Sequence, residues 1–274
     1  MGRVTLWLVC ARVSVGRAKR LQVAAISRRD ADLCVGRWHY SGRSVPNSQV
    51  NLGVFLDGFL LGAMQFGPPM DRAKVLHLVA GSAWQNVVEL NRMAFSDRLP
   101  RNSESRALSV AVRMFRERAP QVKWVLSFAD GAQCGDGAIY RAAGFTLTQV
   151  KEQKTIWQFP DGTRIAALSF EHNFDTDRMR QLCARLGVRH ELRSRAQWAK
   201  LGAVPIPGFM LRYVRIIDPA WAGRLVPAAI PFESIPPEVR MYRGRLSADP
   251  VGGSGVQPVV GGASPTSVLQ SEPV

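Results

Sequence analysis

Apolar residues recur along this chain at two spacings, and each spacing predicts its own kind of element. Leu21 to Ile26 (LQVAAI) reads as a first strand. Ser27 is placed to cap a short helix, Arg28 to Val35. Asn51 to Phe55 and Phe59 to Gln65 read as a hairpin about Asp57-Gly58, a pair suited to a tight two-residue turn. Gly67-Pro68-Pro69 ends it. Val87 to Phe95 (VVELNRMAF) is the next strand, and plain alternation puts Leu90, Arg92 and Ala94 on one face, with Glu89, Asn91 and Met93 on the other. Asn102 or Ser103 then caps a helix whose stripe is Leu108, Ala111, Val112 and Phe115. Pro120 stops that helix. A strand over Val122 to Phe128, buried from Val125 to Phe128, ends in Ala129-Asp130-Gly131. A glycine-rich turn follows it, and then a short helix that carries Tyr140 and stops at Gly144-Phe145.

Further on, Thr146 to Phe159 reads as a long strand or a strand pair, turned by Pro160-Asp161-Gly162, and Thr163 to Phe170 returns. Asp175 to Leu186 has helical spacing, with Met179, Leu182, Cys183 and Leu186 inward and Gly187 as its stop. Phe209 to Ile217 is a late strand. Helix and strand alternate from residue 21 to 217, which predicts one mixed α/β domain, a central β-sheet flanked by helices. A basic insertion is expected around 171–205 and a C-terminal extension over 218–246. Residues 1–20 are expected to form an extension outside the core, disordered or non-native. From Ser247 the chain is rich in Gly, Ser, Pro and Val and is expected to be a disordered tail, 247–274.

Composition adds one strong constraint. The chain has 274 residues, and its 46% apolar content allows a full core. Thirty-six Lys and Arg against twenty-one Asp and Glu give a net charge of +15, which points to a polyanionic partner, nucleic acid first. An arginine-rich composition also follows from a GC-rich genome. Cys10, Cys34, Cys134 and Cys183 are widely spaced, with no CxxC pair, so a zinc ribbon is not expected and a reducing cytoplasm fits. No run approaches the length of a membrane span.

Candidate chemistry gathers at strand ends. In an open α/β sheet the ligand crevice lies beyond the carboxyl ends of the strands. Asp130 is the strongest carboxylate candidate, although the same residue type also closes an Asx-turn. Tyr140 reads as a general acid or, on helical spacing alone, as a core aromatic. Arg92 is a charge in an apolar strand: a rim residue that snorkels to solvent, or a group facing a pocket. Arg101 to Ser105 is a loop-to-helix junction where free N–H groups make an anion site, with Ser103 and Ser105 as further donors or as ordinary cap residues. His39 and Tyr40 lie in a loop with Trp38 and Arg43. There a histidine serves as acid, base, metal ligand or hydrogen-bonding filler, and the aromatic neighbours are able to stack on a base. His77 reads as structural. Arg178, Arg180, Arg185, Arg189, Arg193, Arg195 and Lys200 face a single acid, Glu191. That run reads as a phosphate-backbone contact or as a solvated face.

The pattern of a helical tyrosine followed by Gly144-Phe145 resembles the last helix of the acetyl-CoA-dependent GNAT acyltransferases. Trp38-His39-Tyr40-Ser41, Leu90-Asn91-Arg92, Pro100 to Ser105, Ser127 to Asp130 and Tyr140 to Phe145 make up a more specific ordered set. That set, spanning roughly residues 21 to 217, resembles the Mom family of phage DNA-modification proteins. The resemblance implies a GNAT-like fold, the sheet and helices already expected. It implies conversion of adenine in double-stranded DNA to an N6-carbamoylmethyl derivative with acetyl-CoA as donor, on a flipped-out base, inside the host cytoplasm, protecting the DNA from restriction. By position it gives His39, Tyr40, Asp130 and Tyr140 as active-site residues. Arg92 and Ser105 are implicated in acetyl-CoA use, and Arg101 and Ser103 lie at the same helix start. The phosphate loop of GNAT enzymes is glycine-rich, whereas here its place is held by Arg101-Asn102-Ser103-Glu104-Ser105-Arg106. Joining adenine nitrogen to the methyl carbon of an acetyl group is not attack on a thioester carbonyl, which invites a redox metal. Iron(II) held by His39, Tyr40 and Asp130 is therefore expected. The rival readings are an ordinary N-acetyltransferase of a small amine or protein, and a non-enzymatic basic DNA-binding protein.

Overall fold

The computed structural model describes residues 20–39, 41–131, 135–162, 164–167, 177–185, 187 and 194–235. Residues 1–19, Tyr40 and the expected tail fall outside the described residues. Eight strands form one sheet: β1 (Gln22–Ala25), β2 (Val50–Leu56), β3 (Phe59–Gly67), β4 (Val87–Phe95), β5 (Trp124–Asp130), β6 (Thr146–Gln158), β7 (Arg164–Ala166) and β8 (Val204–Ile216). Their order across the sheet is β1-β2-β3-β4-β5-β8-β6-β7. Among the described strands, β4 and β5 are the one parallel pair. The described α-helices are α1 (Arg28–Trp38), α2 (Ser103–Arg118), α3 (Ala138–Ala142), α4 (Asp177–Arg185) and α5 (Arg195–Lys200). The expected mixed sheet flanked by helices is the observed architecture.

Local chemistry explains most element ends. The Ser27 side chain accepts from the Asp30 N–H and caps α1. Asp57 and Gly58 hold φ of 53° and 84°, the left-handed pair that a two-residue hairpin turn requires. α2 ends at Arg118, before Pro120. Two boundaries run past their sequence signals. α1 continues beyond Val35 to Trp38, whose ring packs on the Ala31–Cys34–Ala63 cluster. β8 begins at Val204, because Gln158 and Trp157 of β6 pair with Val204 and Pro205 in spite of the prolines.

The two faces of the sheet carry different cores. α2 covers one face: Ala107, Leu108, Ala111 and Phe115 meet Leu52, Val54, Leu90 and Val125, and the Phe115 ring stands edge-on to Phe66 at 5.0 Å. α1 covers part of the other face, with Ala31 and Cys34 on Ala63. Further along that face Val87, Trp124, Leu126 and Val214 pack on Val75, Leu78 and Val79. A separate cluster of Trp157, Phe159, Cys183, Trp198 and Ala203 joins α4 and α5 to the end of β6.

Two expectations about side-chain direction are corrected. β4 contains a bulge: Gln65 pairs with Arg92 and Phe66 with Leu90, so Asn91 is an extra residue. The insertion resets the alternation. Met93 joins Leu90 on the α2 face, opposite Met64, while Arg92 and Ala94 turn to the α1 face. Phe128 does not continue the buried run of β5. It is 38% exposed, because β4 has left β5 by this level and no described element covers the ring. His77 is likewise exposed, while Leu78 and Val79 beside it are buried.

Candidate functional site

The gap between β4 and β5 is the candidate site. The two strands pair at only three positions, Val87 with Trp124, Val88 with Val125 and Glu89 with Leu126. Beyond Glu89 each strand follows its other neighbour, β4 staying with β3 and β5 with β8. Parallel strands that separate toward their carboxyl ends leave backbone and side chains around an open crevice. Glu89 is level with Leu126, so alternation puts Phe128 and Asp130 on the same face as Glu89 and Arg92. That is the α1 face, and α1 brings His39 to it.

His39 is the C-cap of α1, and its N–H donates to the Val35 carbonyl. Its Nδ1 accepts the Ser41 backbone N–H at 3.1 Å, with the Ser41 Oγ at 2.7 Å. A backbone N–H only donates, so the ring proton of the neutral imidazole sits on Nε2. Burial, and then the Arg92 charge, push the His39 pKa down to about 3, which keeps the ring neutral at physiological pH. Arg92 is drawn inward, not out to a rim. Its Nε donates to the Arg43 carbonyl at 2.8 Å and its Nη1 to the Asn91 carbonyl at 2.7 Å, tying the loop after α1 onto the bulged strand.

Glu89 is the group that sequence reasoning missed. Burial raises its carboxyl to about 7, against the downward pull of a hydrogen bond from Asn91 and of the Arg92 charge. The available signal was a carboxylate inside the apolar run VVEL, three residues before an arginine. On β3 its partner is Gly67, where an added Cβ would run into the Asn47 carbonyl oxygen and lie 2.8 Å from Asn91 Oδ1. Only glycine lets the loop before β2 lie against the sheet here.

Tyr140 is not brought to this face. Its ring is buried at 6% exposure, stacked on Tyr213 at 5.0 Å and edge-on to Phe145 at 5.6 Å in the α2-side core. Its hydroxyl lies 3.5 Å from the Phe128 carbonyl, at the end of β5. Trp38 is occupied as well, packed on the α1 cluster with the Arg37 guanidinium 5.5 Å from its ring centroid.

The start of α2 follows the end of β4 after one short loop. Asn102 is the N-cap in a left-handed conformation, φ 68°, and its side chain makes no capping bond. The Ser103 N–H goes to the Pro100 carbonyl at 3.2 Å, which leaves the Glu104 and Ser105 N–H groups of this 16-residue helix for another acceptor, with exposed Arg101 beside them. The Ser103 and Ser105 hydroxyls are already donated to the Pro100 and Asn102 carbonyls. Backbone N–H groups and Arg101 are thus the donors ready for an anion.

The described residues do not fit the expected iron. No group of three or more His, Cys, Asp and Glu gathers among them, and Tyr40 lies outside them. Binding a metal through Nε2 of His39 would move the ring proton to Nδ1, against the Ser41 N–H, and the Arg92 charge lies close by. Cys34 and Cys183 are buried, and burial raises the Cys34 thiol to about 11. In the basic segment, Arg180, Arg185, Arg195 and Lys200 are exposed, and Arg185 pairs with Asp161 at 3.3 Å. The side chains of Arg178, Arg189 and Arg193 lie outside the described residues. No described helix is long and apolar enough to cross a membrane.

The sequence model of the Mom protein family matches residues 20–234 of this chain. The methylcarbamoylase Mom of Escherichia phage Mu is 41% identical over 129 residues, which is 47% of this chain and 53% of that protein. The match thus spans about half the length of that curated relative. Among solved structures, the ribosomal-protein-S18-alanine N-acetyltransferase of Escherichia coli is 10% identical, with a TM-score of 0.40 over 74% of this chain and 97% of its own. An acetyltransferase of Bacillus subtilis in complex with CoA is 7% identical, with a TM-score of 0.39 over 72% and 97%.

Proposed function

The chain belongs to the Mom protein family, and on that premise we propose that it is a DNA-modifying transferase acting on the exocyclic amine of adenine. The group it adds is a carbamoylmethyl unit, with acetyl-CoA as the carbon donor: the new N–C bond replaces a methyl C–H bond, which requires an external two-electron oxidant, and an ammonia-level nitrogen donor replaces the departing CoA thiol to give the amide. The observation that carries this reading is the β4–β5 gap, which sets Glu89, Arg92, His39 and Asp130 on one face while the anion-ready start of α2 follows directly from β4.

In this reading Asp130 and Glu89 are the carboxyl groups that accept a proton from the amine. Glu89 titrates near neutrality, which suits a group that must take up and release a proton at working pH. His39, neutral with its proton on Nε2, donates a hydrogen bond and carries no competing positive charge. Arg92 positions His39 through the Arg43 carbonyl. The α2 N–H groups and Arg101, with Ser103 and Ser105 shaping that turn, hold the phosphates of acetyl-CoA. Tyr140 supports the Phe128 end of β5, and Tyr40 adjoins His39 in the chain. The target amine is paired inside a duplex, so the base is flipped out before reaction. Protection of the modified DNA from restriction nucleases is the biological outcome this product implies.

The test is expression in bacteria followed by digestion of total DNA to nucleosides and mass spectrometry. A deoxyadenosine of carbamoylmethyl mass is expected with the intact chain, and it is expected to disappear with Asp130→Ala. Unmodified DNA from folded protein that acetylates a small amine would replace this reading with that of an ordinary N-acetyltransferase.

A further inference from the structure

Phe128 and Arg212 are cross-strand partners on β5 and β8, and alternation puts both on the α1 face of the sheet with Leu126 and Val214. Directly opposed residues of an antiparallel pair have Cβ atoms roughly 5 Å apart. Each is anomalous for its place. Phe128 lies on an interior strand and still exposes 38% of its surface. Arg212 is partly buried, and burial lowers its pKa. Its Nε donates to Thr148 Oγ1 at 3.0 Å and its Nη2 to the Thr148 carbonyl at 3.3 Å, but no carboxylate pairs with it among the described residues. A partly buried guanidinium without an acid calls for an anion from outside. An uncovered ring on the same face calls for a flat apolar surface.

A planar ring joined to an anion is a nucleotide. We propose that Phe128 and Arg212 form a nucleotide seat at the mouth of the β4–β5 gap, the ring stacking on a nucleobase and the guanidinium pairing with the adjoining phosphate. The two strands set the spacing. Asp130, two residues on from Phe128, and Glu89, across the gap beside Leu126, line the same face, so a base stacked on Phe128 has its edge toward carboxyl groups. An exocyclic amine donates to such groups, and a carbonyl edge does not. Both a DNA strand and the adenosine phosphate of CoA have this chemistry. The seat is assigned to DNA, a choice that rests on the function proposed above. The phosphate-ready start of α2 belongs to the helix on the opposite face, and the net charge of +15 favours a polyanion.

The test is fluorescence anisotropy of labelled single-stranded oligonucleotides with the full chain. Two probes are compared, one of deoxyadenosines and one abasic strand with the same phosphates. Phe128→Ala is expected to weaken the deoxyadenosine strand roughly 5- to 100-fold, the range for loss of one stacked base. The same variant leaves the abasic strand within about twofold, and Phe128→Trp restores binding. Arg212→Gln is expected to weaken both strands and to reduce the slope of log affinity against log salt by about one. Arg212→Lys keeps the charge and so keeps the slope, which separates lost phosphate contact from disturbed packing at Thr148. Equal loss on both probes in Phe128→Ala, or no loss on either, overturns the seat. Weakened CoA binding with unchanged strand binding in the same variants overturns its assignment to DNA. Nucleoside mass spectrometry reads the proposed chemistry separately. Base-dependent binding without a modified nucleoside retains the seat and rejects the chemistry, and modification without a Phe128 effect does the reverse.

Discussion

Glu89 and His39 titrate in opposite senses within one small volume, and this makes their contributions separable. The Glu89 carboxyl is raised from 4.5 to about 7 on folding. Its favourable contribution is full below about pH 4.5 and is lost as pH rises toward 7. His39 is lowered from 6.5 to about 3. Its contribution is full above about pH 6.5 and is lost as pH falls toward 3. Glu89→Gln is therefore expected to gain stability relative to the parent chain between pH 4.5 and 7, levelling off above pH 7.5, with an upper bound of about 3 kcal/mol. His39→Gln is expected to lose the acid sensitivity that begins below pH 6.5. Urea unfolding at a series of pH values measures both differences. A pH-independent difference in either variant would mean that its side chain is solvated like a free one. At this scale His39, Arg92 and Asp130 stand in recognisable local patterns of the sequence. Glu89, Phe128 and Arg212 do not, each unremarkable in its own strand. What sets them apart is the neighbour on the adjacent strand, or the lack of one.

Among the elements, hairpins and capped helices were legible and cross-strand register was not. The β2–β3 turn follows from Asp57-Gly58 alone, and the α2 stripe from its spacing. The bulge at Asn91 is a property of the β3–β4 pair, so no reading of VVELNRMAF by itself could place it. It has a large consequence, since it moves Arg92 to the side of Glu89 and His39. Gly67 is the element-level counterpart of these contacts, the point where the loop before β2 lies on the sheet. Gly67→Ala is expected to destabilise the chain by about 1–3 kcal/mol, because the new methyl meets a backbone carbonyl that must shift. Denaturant unfolding checks the size. A neutral result would show that this loop is free to leave the sheet.

The whole molecule is a basic body around one divergent strand pair. On the function proposed above, the charge of +15 provides salt-dependent attachment to DNA and the crevice provides the chemistry. Four phosphate contacts correspond to a slope of about −3.6 in log affinity against log salt. Raising salt from about 50 to about 200 mM is then expected to weaken duplex binding by roughly a hundredfold or more. Filter binding across that range measures it, and a flat response would remove nucleic acid as the partner that the composition implies.

By itself the sequence determined the kinds and order of the elements, the turns and caps between them, the polyanion-seeking charge and the ordered motifs of the family. Those are local properties, written in spacing, turn chemistry and composition. The tertiary structure decided which strands separate, and therefore which side chains share a space. His39, Glu89, Arg92, Phe128, Asp130 and Arg212 come from α1, β4, β5 and β8, and they stand on one face only because of register, a single bulge and the parting of β4 from β5. Tyr140, equally prominent in the sequence, went to the other side and into the core. The physical reason is that the face of a strand residue depends on pairings with segments far away in the chain, and one inserted residue reverses it.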